Sequence, residues 1–466
     1  MDNQEKSSTA VNLPMANWLD HSRNDALIIT LCGAKKVTLR QLRCDVTYLV
    51  ERMAIFSTSR WALCFENSYW FTVALLATLY CKKIPIIFGH AREAVLKEQS
   101  RQFDGMLTDQ LLNLNCPTVM VADHAPVDTI CHPLPDWPSD ASLILFTSGS
   151  TGAPKAVVKS VASLDIESHW LAAKWGPYFD KKSNPLIIAS VSHQHLYGLT
   201  FRLFLPLSLG IPFQAELIGY HEQLQQLQQL PELFSPIFIS SPAFLKRIDT
   251  KLPPIRCQQI FSAGGPLNFH DAQATLKILG VLPTEIYGAT ETGLIAYRQQ
   301  LEQRQPWQFF SGVTLAINND NTFTVFSALI PESTGMPMSD IIELSDNGQS
   351  FYLAGRQDRI VKIEEKRVSL TEIEQRLTSL PDIAEATVLV LTQNERVSIA
   401  AVVVLTDYGK EQLSTATVGS FTQNLRSSLR NWLEPVSLPR RLRVIDVMPV
   451  NLQGKRDYAL LQELFL

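Results

Sequence analysis

The hydrophobic residues of this chain fall into short apolar runs that are separated by polar, glycine-containing and proline-containing segments. Residues 61–65 and 84–88 each have the pattern of a strand, and the apolar stretch 70–81 between them is typical of a buried helix. A strand, a helix and a second strand in this order predict a parallel α/β unit. Further short strands are predicted at 106–108 and 118–121, so the chain is expected to begin with a parallel sheet and covering helices.

The stretch 143–159, LILFTSGSTGAPKAVVK, predicts a strand, a polar loop and a second strand. Glycines in such a loop let backbone N–H groups converge, hydroxyl groups add donors, and Lys155 supplies a positive charge, so the loop suits a polyphosphate. An ordinary solvated turn is the alternative interpretation. A Walker-type P-loop is disfavoured, because Ala153 and Pro154 separate Gly152 from Lys155.

Two later segments place polar residues where predicted strands end, and a third combines polar groups with an aromatic ring. A strand at 185–191 is followed by His195, and the carboxyl ends of parallel strands are where ligands bind. A strand at 259–261 runs into the glycine-containing loop 262–267, SAGGPL. The segment 285–293, EIYGATETG, combines an aromatic ring, hydroxyls and a carboxylate. His195 and the polar residues of the other two segments are therefore candidate ligand-binding residues.

The chain is long enough for two domains, since 466 residues exceed the ~250–300 at which single cores stop growing. From residue 358 onward, a strand at 361–363, a helix at 370–380 and strands at 386–391 and 399–405 predict a small α+β module. We therefore expect an N-terminal domain of residues 1–357 and a C-terminal domain of residues 358–466.

Composition and charge exclude several classes of protein. A net charge of −4, with 46% hydrophobic and 18% charged residues, is typical of an ordinary soluble globular protein and gives no basic excess for nucleic acid. The seven cysteines form no CxxC pair, which predicts reduced thiols and neither a zinc site nor a disulfide framework. No apolar run reaches the ~20 residues of a membrane span, and no secretory pattern is visible, so a cytoplasmic location is expected.

At these residues the chain resembles the adenylate-forming superfamily, which includes acyl-CoA and aryl-CoA synthetases, adenylation domains of nonribosomal peptide synthesis, and luciferases. The string TSGSTGAPK fits the family's phosphate-loop signature, and YGATE fits its second motif. Ser339-Asp340, the string AGRQD that ends at Asp358, and PVNLQGKR at 449–456 are similar to further family elements in the family's order. The resemblance implies a large α/β domain of parallel-rich sheets and a smaller α+β lid that rotates at the hinge residue Asp358.

The resemblance also implies individual roles around ATP and Mg²⁺. The loop residues implied to hold the β and γ phosphates are Thr147, Ser148, Gly149, Ser150, Thr151, Gly152 and Lys155. The other residues implied to bind the nucleotide are Gly264, Tyr287 and Gly288 near adenine, Asp340 at the ribose, and Arg356 at ribose or phosphate. Thr290 would contact the α-phosphate, Glu291 would bind Mg²⁺, and Lys455 would lie between the substrate carboxylate and the α-phosphate, which makes these three the implied catalytic residues.

The implied reaction has two steps. A carboxylic acid, bound near His195, Gly265 and Ala289, attacks MgATP to give an acyl-adenylate and pyrophosphate, and a thiol of coenzyme A or an acyl carrier protein then displaces AMP. The family usually has a glycine where this chain has Glu364-Glu365, and that backbone lines the path of the pantetheine arm, so a side chain there would narrow or redirect the path of the thiol acceptor. A luciferase-type adenylating oxygenase and an adenylate-binding protein without catalysis are the alternatives. Glu364, in the place of a lysine, counts against the first, and the presence of both Glu291 and Lys455 counts against the second.

Overall fold

The computed structural model divides the chain into two compact units. The first contains 12–314 and 326–336, and the second contains 315–325 and 337–466. The residues that the structure describes are 12–89, 91, 93–126, 132–148, 154–227, 234–249, 251, 253–318, 322–356, 359–363, 366–393, 396–430, 432–433, 435–451 and 455–466.

The first unit contains two sheets and their covering helices. Its strands are β1 (Ile28–Cys32), β2 (Lys35–Thr38), β3 (Arg60–Cys64), β4 (Ile84–Ile87), β5 (Gly105–Thr108), β6 (Thr118–Met120), β7 (Ser142–Ser148), β8 (Pro154–Ser160), β9 (Pro185–Ala189), β10 (Phe213–Gln214), β11 (Ser235–Ser240), β12 (Gln259–Ser262), β13 (Thr284–Ala289), β14 (Gly293–Gln299) and β15 (Trp307–Phe309). Its helices are α1 (Leu39–Ala54), α2 (Ser68–Tyr80), α3 (Glu93–Glu98), α4 (Val161–Trp175), α5 (Leu196–Gly198), α6 (Leu205–Leu209), α7 (His221–Gln226), α8 (Pro242–Leu245) and α9 (Phe269–Leu279).

Both sheets have parallel centres. One has the order β6-β5-β3-β4-β7-β8, with β8 antiparallel to β7 at its edge. The other runs β15-β14-β13-β12-β11-β9-β10-β1-β2 and is parallel from β13 to β1. Strand β9 is buried along its whole length, as expected for a parallel strand covered on both faces. The predicted parallel unit β3-α2-β4 is confirmed, as is the parallel sheet around it.

Helix α2 shows why the local sequence folds in this way. The Asn67 side chain accepts hydrogen bonds from the backbone N–H groups of Tyr69 and Trp70, which fixes where the helix begins. Nearly all of its residues are buried, so its continuous apolar run does not need a polar face. Within the described part of the chain, no helix combines the length and the apolar character that a bilayer crossing requires.

The second unit is a smaller α+β module, as predicted. Its strands are β16 (Thr314–Ile317), β17 (Phe323–Phe326), β18 (Met336–Met338), β19 (Asp340–Leu344), β20 (Ser350–Arg356), β21 (Ile360–Ile363), β22 (Lys366–Ser369), β23 (Ile383–Gln393), β24 (Arg396–Leu405) and β25 (Arg441–Val444). Its helices are α10 (Leu370–Thr378), α11 (Asp407–Ser414), α12 (Val418–Leu429) and α13 (Tyr458–Glu463). A three-stranded sheet, β23-β24-β25, forms its centre, with apolar clusters on both faces.

Two expectations from the sequence need comment. The second unit takes in Pro337 and the β19–β20 hairpin, whereas we expected the boundary at Asp358, which lies outside the described residues. The role of Asp358 as a hinge therefore stays a prediction.

The expectation that every cysteine is a reduced thiol is wrong for Cys44, which is disulfide-bonded. Spacing along a sequence does not show which distant thiols the fold brings together. The free cysteines of the described residues are Cys32, Cys64, Cys81, Cys116 and Cys257.

Candidate active site

The predicted phosphate loop joins two strands of a hairpin. Strands β7 and β8 pair antiparallel, with Thr147 opposite Lys155 and Ser148 opposite Pro154. The Thr147 hydroxyl also donates to the Lys155 carbonyl over 3.5 Å. The predicted strand, loop and strand are therefore confirmed. The loop residues Gly149, Ser150, Thr151 and Gly152 lie outside the described residues, so their role as phosphate ligands stays a prediction.

The fold brings Lys155, which follows the predicted phosphate loop, next to Glu291 of the YGATE motif. Lys155 Nζ lies 3.2 Å from Glu291 Oε1, although the two residues are 136 positions apart in the chain. The Lys155 side chain is 61% exposed and that of Glu291 is 25% exposed, so both groups are accessible to a ligand. A cation for phosphate oxygens and a carboxylate for a hard metal ion thus lie side by side.

The turn that carries Glu291 is built by close backbone approach. It joins β13 to β14, and the Thr292 hydroxyl accepts a hydrogen bond from the Ala289 N–H over 3.1 Å. A Cβ atom on Gly288 would lie 2.2 Å from the Gly293 carbonyl oxygen, so a glycine is required there. Thr290 is half-buried within the turn. Four of the predicted site residues, Gly288, Ala289, Thr290 and Glu291, are therefore contiguous at the end of β13 and in the turn that follows it.

Two buried residues that the sequence did not reveal support this turn. Lys159 is 4% exposed and donates from Nζ to the Glu291 carbonyl over 2.9 Å. Glu167, on α4, is 3% exposed and accepts the Leu294 N–H over 2.9 Å. Burial lowers the pKa of Lys159 and raises that of Glu167, and each charge partly opposes the shift of the other. A lysine within the Val-rich strand β8 was the available sequence signal.

The glycine-containing loop 262–267, which is expected to contact adenine, is hydrogen-bonded to strand β13. Glu285, on β13, accepts the Leu267 N–H over 3.2 Å, and it forms an ion pair with Arg298 at 2.8 Å. Gly264 and Gly265 are exposed in this loop, and Gly264 has a φ of +92°, which favours glycine. The neighbouring Tyr287 ring lies 5.6 Å from that of Trp307, centroid to centroid. The structure thus fixes the glycine loop relative to Tyr287, and their contact with adenine stays a prediction.

His195 lies at the start of helix α5 and packs on a glycine. A Cβ atom on Gly89, two residues after the end of β4, would lie 2.4 Å from the imidazole Cε1 of His195. His195 also accepts the Leu199 N–H over 2.7 Å through its carbonyl, which ties it to the next helical segment. His193 is different, because it is 1% exposed and its Nδ1 lies 3.0 Å from the Ser68 hydroxyl. Burial lowers the pKa of His193 well below its ordinary value, which suits a structural role.

The second unit carries the remaining predicted residues. Asp340 is buried and lies directly opposite Arg356 in the β19–β20 pair, so the two predicted ribose contacts are neighbours. Lys455 is exposed, and its N–H donates to Asn451 Oδ1 over 3.0 Å. The Asn451 N–H in turn donates to the Lys455 carbonyl over 2.7 Å. These two bonds close the loop that presents Lys455, and the residues between them lie outside the described part of the chain.

A magnesium ion fits this donor set as a ligand of ATP. Among the described residues, no group of three His, Cys, Asp or Glu side chains could hold a metal ion by itself. Mg²⁺ usually keeps several waters and binds through one or two carboxylates together with substrate phosphates. The accessible carboxylate of Glu291, beside the lysine that is predicted to bind phosphate, Lys155, meets that requirement.

The family model described as AMP-binding enzyme matches residues 86–322, which is about half of the chain. The chain belongs to this family. The matched range contains the β7–β8 hairpin, the glycine loop and the Glu291 turn of this AMP-binding enzyme. The resemblance to adenylate-forming enzymes that the motifs indicated is thereby confirmed.

Curated relatives of this AMP-binding enzyme include several ligases. It is 27% identical over 328 residues to the 4-coumarate–CoA ligase of Halorhodospira halophila, covering 68% of this chain and 75% of the relative. It is 23% identical over 528 residues to the L-proline–[L-prolyl-carrier protein] ligase of Streptomyces coelicolor, covering 97% of this chain and 95% of the relative. It is also 21% identical over 402 residues to the cyclosporin synthetase of Tolypocladium inflatum, but it spans only 2% of that protein.

Solved structures confirm the fold. The crystal structure of ATP-bound MatB from Rhodopseudomonas palustris is similar with a TM-score of 0.77 and 16% identity, covering 97% of this chain and 99% of the other. Identity at this level shows the fold alone, and the α/β domain with a smaller α+β module is therefore confirmed.

Proposed function

We propose that this AMP-binding enzyme is an ATP-dependent carboxylic acid–thiol ligase. It would activate an acid as its acyl-adenylate, with release of pyrophosphate, and transfer the acyl group to a thiol. The observation that carries the proposal is the meeting of Lys155 and Glu291 at 3.2 Å, because it joins the flank of the phosphate loop to the carboxylate turn. ATP as the substrate is supported by the family match and by the ATP-bound state of the similar MatB structure.

The chemistry requires mainly positioning and charge. Displacement at phosphorus spreads negative charge over oxygen atoms, so fixed donors and cations lower the barrier. Lys155 and the hairpin loop would hold the β and γ phosphates, Glu291 would hold Mg²⁺, and Thr290 would donate to the α-phosphate. When bound, Mg²⁺ would neutralise charge on the phosphates. Glu285, which binds both the Leu267 N–H and Arg298, would keep the glycine loop in place for adenine.

The proposal also gives roles to residues of the second unit. Asp340 and Arg356, which face each other across the β19–β20 pair, would bind the ribose hydroxyls and the ribose or phosphate. Lys455, presented by its closed loop, would supply the cation between the attacking carboxylate and the α-phosphate. His195, Gly265 and Ala289 would line the acid pocket. Rotation at Asp358 would exchange the adenylating arrangement for the thiol-transferring one.

For the acceptor, we place an acyl carrier protein slightly ahead of coenzyme A. Carrier proteins of this kind are generally acidic, and Arg440, Arg441 and Arg443 form an exposed basic edge. Arg441 Nη1 and Arg443 Nε donate to the carbonyls of Phe465 and Leu464, at 3.3 and 2.9 Å. Arg440 is therefore the position at which charge can be changed with the least effect on the fold. The two relatives described above differ in their acceptor, since one is named as a CoA ligase and the other as a carrier-protein ligase. Experiment must therefore decide the acceptor of this enzyme.

A carboxylate panel scored by pyrophosphate release tests the proposal, with coenzyme A and then carrier proteins added to the acid that responds. Arg440→Glu should slow carrier loading severalfold, more so at low salt, because charges separated by more than ~10 Å are screened at 0.1 M. Lys410→Glu, at an exposed residue of α11, is the matched charge control and should have no such effect. Equal rates for both variants, or equally efficient use of coenzyme A, would remove the reason for preferring the carrier.

A further inference from the structure

Glu167 of α4 is a buried carboxylate whose two oxygens bind two different segments, one that follows His195 and one that follows Glu291. Its Oε2 accepts the Thr200 hydroxyl over 2.6 Å, and its Oε1 accepts the Leu294 N–H over 2.9 Å. The carboxylate is 3% exposed, and Thr200 is 1% exposed. A hydrogen bond to a charged group in such an environment is stronger than one at the surface and holds its partners firmly.

Thr200 connects Glu167 to the segment that follows His195. It lies in the π-helical segment Leu199–Phe204. The first residue of this segment, Leu199, donates its N–H to the His195 carbonyl. Such segments are rare and are frequent at functional sites. Arg202, in the same segment, is fully buried and donates to the Ala215 carbonyl over 2.7 Å. The π-helical segment is therefore fixed on one side by Arg202 and on the other by Glu167.

Leu294 connects Glu167 to the turn that carries Glu291. The intervening Gly293 has a φ of +69°, and a Cβ atom there would lie 2.6 Å from Glu167 Oε1. Lys159 holds the same turn through the Glu291 carbonyl and interacts electrostatically with Glu167. Any displacement of this turn must consequently move or break the bond to Glu167.

We propose that Glu167 is a positioning residue that couples the nucleotide site to the acid pocket through Thr200. This inference rests on the proposed function, because it takes Glu291 to belong to the MgATP site and His195 to belong to the acid pocket. Binding of the nucleotide orders the Glu291 turn, and Glu167 passes that ordering to the π-helical segment and His195. By linkage, the acid in turn favours the nucleotide.

The test uses Mg²⁺ with α,β-methylene-ATP, which cannot release pyrophosphate, and follows amide hydrogen exchange by mass spectrometry. In the wild-type enzyme the analogue should slow exchange both at residues 287–296 and at residues 195–204, by about fivefold or more, in line with usual coupling strengths. In Thr200→Val, a substitution of similar shape, slowing should persist at residues 287–296 and disappear at residues 195–204. Thr200→Ser, which keeps the hydroxyl, should restore it.

Controls separate coupling from general destabilisation. Asp45 is another buried carboxylate of the first unit, and it accepts His124 Nδ1 and the Ala125 N–H, both at 2.7 Å. Asp45→Asn should lower stability and leave the protection of residues 195–204 intact. Equal protection of residues 195–204 in Thr200→Val and wild type would overturn the coupling alone. No protection of residues 287–296 in any variant would overturn the proposed nucleotide site, and the coupling with it.

Discussion

Replacement of Gly293 by alanine tests how tightly the Glu291 turn is packed. Its φ of +69° places an alanine in the left-handed region, which costs about 1–2 kcal/mol. The new Cβ would also lie 2.6 Å from Glu167 Oε1 and 2.9 Å from Leu329 Cδ1, and overpacking of this kind costs about 1–3 kcal/mol. We expect Gly293→Ala to lower the free energy of unfolding by about 2–5 kcal/mol, since both terms apply.

Gly33→Ala separates the two contributions. Gly33 also belongs to the first unit and has a φ of +57°, but a Cβ atom there would have no neighbour within 4 Å. This variant should therefore show only the backbone cost of about 1–2 kcal/mol. Urea unfolding, monitored by tryptophan fluorescence, measures the free energy of unfolding of both variants. Calorimetric titration with Mg²⁺ and α,β-methylene-ATP should show weakened binding only for Gly293→Ala. Equal destabilisation by the two substitutions would refute the close packing of the turn against Glu167.

Three further predictions concern separate parts of the chain. Lys455→Ala should lower adenylation by about 10²–10³-fold and spare thioester formation from supplied acyl-adenylate, because it removes a cation at the developing charge; equal loss in both half-reactions, measured in single turnovers, would contradict it. Asp358→Pro should do the reverse, because proline fixes φ near −65° at the proposed hinge; an intact thioester step would exclude Asp358 as the hinge. Asp165→Asn should stabilise the enzyme at pH 8, and this gain should shrink at pH 5. Burial raises the pKa of Asp165 to about 6 from 3.8, so the wild type loses stability as the pH rises between these values; urea midpoints that give the same gain at both pH values would contradict the assignment.

The sequence was most informative where the signal was local. The apolar run of α2 between β3 and β4 predicted a buried helix and a parallel pair, and the hairpin of β7 and β8 followed from two apolar strands flanking a polar loop. Both depend on periodicity and turn residues, which neighbouring positions determine.

Residues that depend on distant partners escaped sequence analysis. Glu167 is a charged residue among the buried residues of helix α4, and its importance comes from Thr200 and Leu294, 33 and 127 positions away. Glu285 likewise supports the glycine loop only because β13 places it beside Leu267. The disulfide at Cys44 could not be deduced, since pairing depends on the approach of remote Cα atoms. Motif matching found the residues expected to touch the ligand, and the structure was needed for the residues that hold them.

The measurement that tests the proposed ligase most directly is acid-dependent exchange of labelled pyrophosphate into ATP, without any thiol. If the enzyme forms an acyl-adenylate, one chemical class of carboxylic acid should support exchange in the presence of Mg²⁺, and AMP should accumulate only after the thiol is added. Glu291→Gln should strongly reduce this exchange, because the carboxylate proposed to bind Mg²⁺ beside Lys155 is lost. Binding of MgATP without exchange for any acid, or release of ADP and phosphate in place of AMP and pyrophosphate, would contradict the proposed function.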